Sequence, residues 1–132
     1  MVRVFRRPIG RISLELPRGF GDGPGDVRDQ AIRELSEETG IQLAAKLLID
    51  LGVLASNGGI SSSFTRVFLA PIPLDTSSTS PTDTDEIESF TWMSIDNVLE
   101  GIDTGAIWDG FTLAALLKAA VRGIINVGKK GP

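Results

Sequence analysis

Residues 16–41, LPRGFGDGPGDVRDQAIRELSEETGI, constrain the fold of this chain more than any other stretch. Four glycines between positions 19 and 25 exclude a helix there and predict a loop whose backbone can approach another group closely. Asp26 is suited to cap the helix that follows, and Gly40 lies where a left-handed C-cap would end it. The stretch therefore predicts a glycine-rich loop joined to one acidic helix, around which the other elements are arranged.

Alternating apolar and polar residues predict short strands before and after this stretch. Residues 2–5 and 11–16 alternate in this way, and Pro8-Ile9-Gly10 between them predicts a turn. Residues 43–54 predict a further strand, although 44–48 also suit a helical turn. The remaining predicted strands are a buried one at 65–72 and an alternating one at 87–93.

Two more helices are predicted from their capping residues. Ser94 can cap a short helix that runs to Leu99, and Asp109 can cap a longer helix that ends at Gly123. Apolar residues recur along the longer helix at helical spacing, which gives it a face for packing. The order of the elements predicts an α+β fold in which helices pack on a mixed sheet.

The length of 132 residues is that of one domain, so we expect 1–132 to form a single unit. Within it, residues 75–85, DTSSTSPTDTD, lack the side chains needed for burial and predict a mobile loop. Residues 128–132 predict a frayed tail, because chain ends with few apolar contacts are poorly ordered.

The absence of cysteine and histidine narrows the chemistry of any site. Without cysteine there is no disulfide framework, zinc-thiolate site or thiol nucleophile. Without histidine, the Ser-His-Asp triad and histidine-ligated metal sites are excluded. Carboxylates therefore remain as the natural ligands and bases.

The acidic balance of the chain argues against two classes of partner. A net charge of −4 and a pI near 4.8 should not attract a nucleic-acid backbone or an anionic membrane surface. The first residues do not resemble a signal peptide, and no apolar run approaches the ~18 to 20 residues of a spanning helix. We therefore expect a soluble, cytoplasmic protein that binds neither nucleic acid nor membrane.

Three glutamates of the predicted helix converge on one side of it. Glu34 and Glu38 are one turn apart, and Glu37 is the other neighbour of Glu34. Their mutual repulsion can be offset in part by Arg33 through a pair with Glu37, and further by Mg²⁺ or Mn²⁺, which favour oxygen ligands. A solvated acidic face is the competing interpretation. The glycine-rich loop counts against it, because that loop precedes a helix N-terminus, where anions are favoured.

The same stretch resembles the Nudix box, whose pattern is G-x5-E-x7-R-E-U-x-E-E-x-G-U with U a bulky aliphatic residue. The matching residues are Gly19, Arg33, Glu34, Leu35, Glu37, Glu38, Gly40 and Ile41. Gly25 stands where the family has its first glutamate, and the neighbouring Asp26 is the nearest acid. This departure bears on the completeness of the metal site and hence on the rate of any reaction.

The resemblance implies a Nudix-like α/β/α sandwich with a central mixed sheet and helices on both sides. It also implies Mg²⁺-dependent hydrolysis of a nucleoside diphosphate linked to another group, by attack of water at phosphorus. Softer similarity at 14–19, 68–70 and 105–109 is to the ADP-ribose pyrophosphatase branch, so ADP-ribose or a related nucleotide sugar is the implied substrate. The resemblance implies Glu34 and Glu38 as the principal metal ligands, with the carbonyl of Gly21 or a neighbour completing the set. It implies a catalytic role for Glu37, as a further ligand or as the partner of a metal-bound water, and for Arg33, which would orient a carboxylate.

The branch often takes its general base from a loop after the central strands. Glu86 is the candidate for this role, and Asp83, Asp85 and Glu88 compete with it. A mobile loop that carries the base would fit closure over a substrate. The alternative is that Glu86 only flanks a strand.

Five further residues are candidates for substrate binding. Arg7 and Arg18 can meet phosphate, although exposed arginines without such a role are common. Phe20, Trp92 and Trp108 can stack on a nucleotide base, with core packing favoured for Trp92. No residue can be assigned to reading the identity of that base.

Two rival interpretations accompany the enzyme reading. The first is a Nudix-like nucleotide-binding or regulatory module that lost turnover with the glutamate at position 25, and the second is a structural domain with an acidic helix. Members of the branch often carry an N-terminal region that helps them to form homodimers. This chain begins directly at Val2-Arg3-Val4, so we expect the contribution of that N-terminal region to be absent. A homodimer formed in another way is a further expectation.

Overall fold

The computed structural model describes residues 1–19, 25–55, 57–73, 76, 81 and 87–128. The strands are β1 (Val2–Arg6), β2 (Arg11–Glu15), β3 (Ile49–Leu54), β4 (Thr65–Leu69) and β5 (Ile87–Phe90). The helices are α1 (Val27–Thr39), α2 (Ile95–Asp103) and α3 (Gly110–Val121), with 3₁₀ turns at Arg7–Ile9 and Ala45–Leu47. The predicted α+β class is confirmed.

Strand β1 is the centre of a three-stranded antiparallel sheet, with β2 on one side and β5 on the other. The 3₁₀ turn after β1 ends at Gly10, whose φ of 62° reverses the chain into β2 as predicted. Strands β3 and β4 form a second antiparallel sheet. In the described residues, the predicted mixed sheet therefore takes the form of two antiparallel sheets.

The two faces of the three-stranded sheet carry different layers. Leu14 of β2 packs into a core with Met1, Val98 of α2 and Ile107, which Leu113 of α3 also joins. Because neighbouring residues on a strand point to opposite faces, Val2 and Val4 lie on the other face, where they pack with Ile87. Helix α1 contacts β5.

Three predicted strands differ clearly from the observed ones, and one of them, predicted at 87–93, ends at Phe90. Residues 43–54 contain the 3₁₀ turn at Ala45–Leu47 before β3 begins, so the helical-turn alternative was correct for this segment. The buried strand predicted at 65–72 ends at Leu69 and has no fully buried residue. Strand β4 is partly exposed because it pairs only with β3 among the described residues. Its Arg66 forms a solvent-exposed salt bridge with Asp50.

The prediction that Trp92 packs in the core was wrong. Its side chain is 53% exposed and contacts Phe90 edge-on, with ring centroids 5.0 Å apart, because β5 ends at Phe90 and leaves Trp92 beyond the sheet. Residues 75–85 and 128–132 lie almost entirely outside the described part of the chain. Within that part, no helix has the length and apolar character needed to cross a bilayer.

Candidate active site

Helix α1 begins and ends where the sequence predicts, and this places its glutamates. Asp26 caps the N-terminus, since its Oδ1 accepts a hydrogen bond of 2.7 Å from the Arg28 N–H. Gly40 caps the C-terminus with a φ of 73°, and its N–H donates to the Ser36 carbonyl at 2.7 Å. Asp26 therefore has a structural use, and Glu34, Glu37 and Glu38 fall in the last turns of the helix.

Glu38 is the most buried of the three glutamates, with 9% of its surface exposed. The backbone N–H of Arg18 donates to its Oε2 at 3.1 Å, which ties the chain after β2 to the end of α1. Burial raises the pKa of Glu38 to about 7, and the negative charge of Glu34 adds to this effect, while the Arg18 hydrogen bond opposes it. The carboxylate therefore lacks sufficient positive charge around it.

Glu34 lies against the backbone of the loop that precedes α1. A Cβ added at Gly19 would come within 1.9 Å of the Glu34 carboxyl carbon, so only glycine permits this approach. Arg33 holds the other side of the group, with Nη2 3.1 Å from Glu34 Oε1. The side chain of Glu34 is 21% exposed, so its position is well defined by these neighbours.

Glu37 lies further toward solvent than its two neighbours. Its side chain is 47% exposed, and its Oε1 is 3.9 Å from Nε of Arg33, the pair predicted from the i,i+4 spacing. Arg33 thus bridges Glu34 and Glu37.

The donor set at the end of α1 suits a hard divalent cation. The charge of Glu34 lies close enough to contribute to the raised pKa of Glu38, and Glu38 is buried. Mg²⁺ prefers such oxygen ligands and is commonly held by one or two carboxylates together with substrate phosphates. Among the described residues, no three acidic side chains lie close enough together to hold a metal, so Glu37 is not part of this pair in the conformation observed.

Arg18 connects the end of α1 with the start of α3. Its guanidinium lies 4.5 Å from the ring centroid of Phe111, and its Nη2 is 3.2 Å from Oδ1 of Asp109. Asp109 caps α3 as predicted, through Oδ2 and the Thr112 N–H at 2.8 Å. Only 27% of the Arg18 side chain is exposed, so it is not the solvated arginine that the sequence allowed.

A buried carboxylate lies at the centre of these contacts. Arg6 binds Glu15 through two bonds, of 3.0 Å from Nε and 2.6 Å from Nη2, and Arg18 Nε adds a third at 2.9 Å. Burial alone would raise the pKa of Glu15, but the hydrogen bonds from Arg6 and Arg18 outweigh it and lower the pKa to about 2. We call Arg6, Glu15, Arg18 and Asp109 the β2–α3 network.

A pocket of about 220 Å³ opens over the β2–α3 network. All four network residues line it, and its remaining walls come from Pro8, Ile9 and Trp108. The 3₁₀ turn after β1 and the segment before α3 thus form its two sides. Because Arg18 both lines the pocket and donates to Glu38, the pocket lies next to the carboxylate pair.

Two of the other predicted site residues that the structure describes, Arg7 and Glu88, lie away from this pocket. Arg7 is exposed in the 3₁₀ turn and is not among the residues that line the pocket. Glu88 is exposed on β5, where it pairs with Arg3 at 3.4 Å. Phe20, Gly21, Asp83, Asp85 and Glu86 lie outside the described residues.

Sequence reasoning missed Arg6 and Glu15 and saw Asp109 only as a helix cap. One signal was present in β2, where Ser13 and Glu15 alternate with Leu14. Such a pattern predicts an apolar face turned inward and a polar face turned to solvent. Both faces are covered here, and Ser13 and Glu15 are each 1% exposed. A glutamate in a predicted strand with arginines nearby in the sequence is the signal that could have identified the Glu15 ion pairs.

The chain resembles known proteins over most of its length. The NUDIX domain family matches residues 1–114. The chain is 28% identical over 116 residues to the ADP-ribose pyrophosphatase of Bacillus subtilis, covering 88% of the chain and 62% of that protein. It is 27% identical over 116 residues to the methanol dehydrogenase activator of Bacillus methanolicus, with the same 88% and 62% coverage. A match of 34% over 72 residues, covering 54% of the chain and 34% of the relative, is to an uncharacterized Nudix hydrolase of Schizosaccharomyces pombe.

The chain thus spans less than two thirds of the length of the first two of these relatives. The family match nevertheless includes the glycine-rich loop, α1, the carboxylate pair and the whole β2–α3 network. The resemblance inferred from the box is confirmed, and the chain belongs to the Nudix family.

Proposed function

We propose that this protein is a Mg²⁺-dependent pyrophosphohydrolase that cleaves a nucleoside diphosphate linked to another group. ADP-ribose or a related nucleotide sugar is the proposed substrate, and a nucleoside monophosphate and a sugar phosphate are the products. The observation that carries the proposal is the buried Glu38 beside Glu34, a carboxylate pair short of positive charge. Similarity to the ADP-ribose pyrophosphatase of Bacillus subtilis supports the substrate class.

The residues of the chain act mainly by positioning in this proposal. Glu34 and Glu38 hold the cation, and Glu37 and the carbonyl of Gly21 complete or support its surroundings. Mg²⁺ supplies charge neutralisation of the diphosphate and activation of the attacking water. Arg33 orients Glu34, and Arg18 fixes Glu38 through its backbone N–H. Arg7 remains a proposed phosphate contact. Glu86 is the proposed general base, and Asp83, Asp85 and Glu88 are the alternatives for that role.

The proposal is tested by incubating the protein with ADP-ribose and Mg²⁺ and measuring AMP and ribose 5-phosphate. We expect both products in equal amounts, with turnover abolished by EDTA and restored by Mg²⁺ or Mn²⁺. A panel of nucleotide sugars, dinucleotides and nucleoside triphosphates extends the assay to related substrates. Failure to release product from every member of the panel would contradict the enzyme proposal.

A regulatory or nucleotide-binding module is the second candidate. Gly25 in place of the family glutamate favours it, as does similarity to the methanol dehydrogenase activator of Bacillus methanolicus. This candidate predicts Mg²⁺-dependent nucleotide binding by calorimetry without release of AMP. The product assay therefore separates the two functions.

A further inference from the structure

The pocket over the β2–α3 network has a charged floor and apolar walls. Its floor contains two arginines and two carboxylates, and the Arg6–Glu15, Arg18–Glu15 and Arg18–Asp109 distances of 2.6 to 3.2 Å show that these charges are paired with each other. The floor therefore offers little net charge to a phosphate group. The walls, made by Pro8, Ile9 and Trp108, are the surfaces that remain for a ligand.

Two of the wall residues are large apolar side chains left in solvent. Ile9 is 51% exposed and Trp108 is 41% exposed, and both line the same small opening. Burial of such surface by a ligand is favourable, and an indole ring stacks well on another flat ring. Arg6 lines the pocket and binds Glu15 through Nε and Nη2, and a guanidinium has further N–H donors that can serve acceptor atoms of a ligand. These features favour a neutral, planar, heteroaromatic ligand.

The size and place of the pocket relate this ligand to the substrate. A volume of about 220 Å³ is below the ~300 to 1,000 Å³ typical of sites for whole drug-sized molecules, so the pocket fits one portion of a nucleotide. Arg18 joins it to the carboxylate pair through the hydrogen bond to Glu38. A diphosphate at that pair would place one of its two substituents at the pocket.

We propose that this pocket binds the nucleobase of the substrate, stacked on Trp108 and enclosed by Pro8 and Ile9. This assignment rests on the proposed function, since it names the part of the substrate that the pocket takes. It makes Trp108 a binding residue that affects the ground state and the transition state alike. Loss of its ring should therefore raise KM and leave kcat unchanged.

Kinetics provide the first test. Trp108→Leu is expected to raise KM for ADP-ribose about tenfold, the size of one base–aromatic stacking contact, with kcat within twofold of the wild type. Trp108→Phe keeps a ring and should restore most of the affinity. Trp92→Phe is the matched control, because Trp92 is also exposed but lies outside the pocket. An unchanged KM in Trp108→Leu, with wild-type turnover intact, would overturn the base assignment and leave the proposed function standing.

Fluorescence without metal provides a test that does not depend on turnover. In Trp92→Phe protein with EDTA, Trp108 is the sole tryptophan. Adenosine is expected to quench its emission in a saturable manner, whereas ribose 5-phosphate should not. Quenching by ribose 5-phosphate alone would assign the pocket to the other half of the substrate and contradict the proposal. If adenosine quenches the emission but the protein hydrolyses no substrate, the assignment of the pocket to the nucleobase stands and the proposed function is contradicted.

Discussion

At the scale of single residues, the contact between Gly19 and Glu34 is closer than any side chain permits. The position of a Cβ at residue 19 would overlap the Glu34 carboxyl group, with 1.9 Å to its carbon and 2.0 Å to Oε2. The overlapped group is the far end of a flexible side chain, which can move aside. A substitution here should therefore displace a carboxylate of the site without disrupting the core.

Gly19→Ala is accordingly expected to change the free energy of unfolding by no more than about 1 kcal/mol. The same change should lower Mg²⁺-dependent kcat/KM by roughly 10- to 100-fold, the range typical when support of a metal ligand is lost. Gly58→Ala is the matched control, because a Cβ there meets nothing within 4 Å. Denaturant unfolding and product release measure the two quantities. Equal activity of the two variants would show that the Glu34 position is unimportant.

At the scale of elements, the β2–α3 network holds three parts of the fold together. Glu15 at the end of β2 binds Arg6 from β1, and Arg18 extends the contact to Asp109 at the start of α3. The Leu16 N–H donates to Thr112 Oγ1 at 3.0 Å, which adds a second connection between β2 and α3. The pocket lies over this network, so Glu15 and its partners form part of its lining.

The negative charge of Glu15 stabilises the folded protein. The pKa of Glu15 is lowered from 4.5 to about 2 in the folded protein, so folding favours the carboxylate. Its contribution, about 3 kcal/mol at most, is fully present above pH 4.5 and is lost as the pH falls from 4.5 to about 2. Glu15→Gln should destabilise the protein at pH 7 by about 3 kcal/mol and weaken the acid dependence in that range.

Chemical denaturation at several pH values measures both effects. Glu88→Gln serves as the control, since Glu88 pairs with Arg3 at the surface and such pairs contribute about 0 to 1 kcal/mol. The interpretation of the network would be wrong if both variants lost the same small amount of stability.

The same scale shows what could be predicted from the sequence. Helix α1 was predictable at both ends because Asp26 and Gly40 act locally, and the glutamate spacing follows from helix geometry alone. The exposure of strand β4 was not predictable from the sequence, because the burial of a strand depends on which tertiary neighbours cover it. The pairing of Glu15 with Arg6 and Arg18 depends in the same way on strand register and on the arrival of α3.

At the scale of the whole molecule, the proposed binding of a cation by the carboxylate pair would link metal binding to folding. Burial raises the pKa of Glu38 from 4.5 to about 7, so its charge opposes folding as the pH rises through this range, and the penalty is complete above pH 7. A cation that binds only the folded state offsets this penalty. It raises the free energy of unfolding by about 2.7 kcal/mol at a concentration of 100 times Kd.

We therefore expect saturating Mg²⁺ to raise the Tm of the wild type at pH 8 by about 10 °C, from the usual relation of Tm to stability for a domain of this size. Glu38→Gln should lose this rise, and without metal it should be at least as stable as the wild type, because the disfavoured charge is gone. A variant that were merely misfolded would be less stable in both conditions. Thermal unfolding with Mg²⁺ and with EDTA distinguishes these outcomes, and an undiminished Mg²⁺ effect in Glu38→Gln would exclude Glu38 as a ligand.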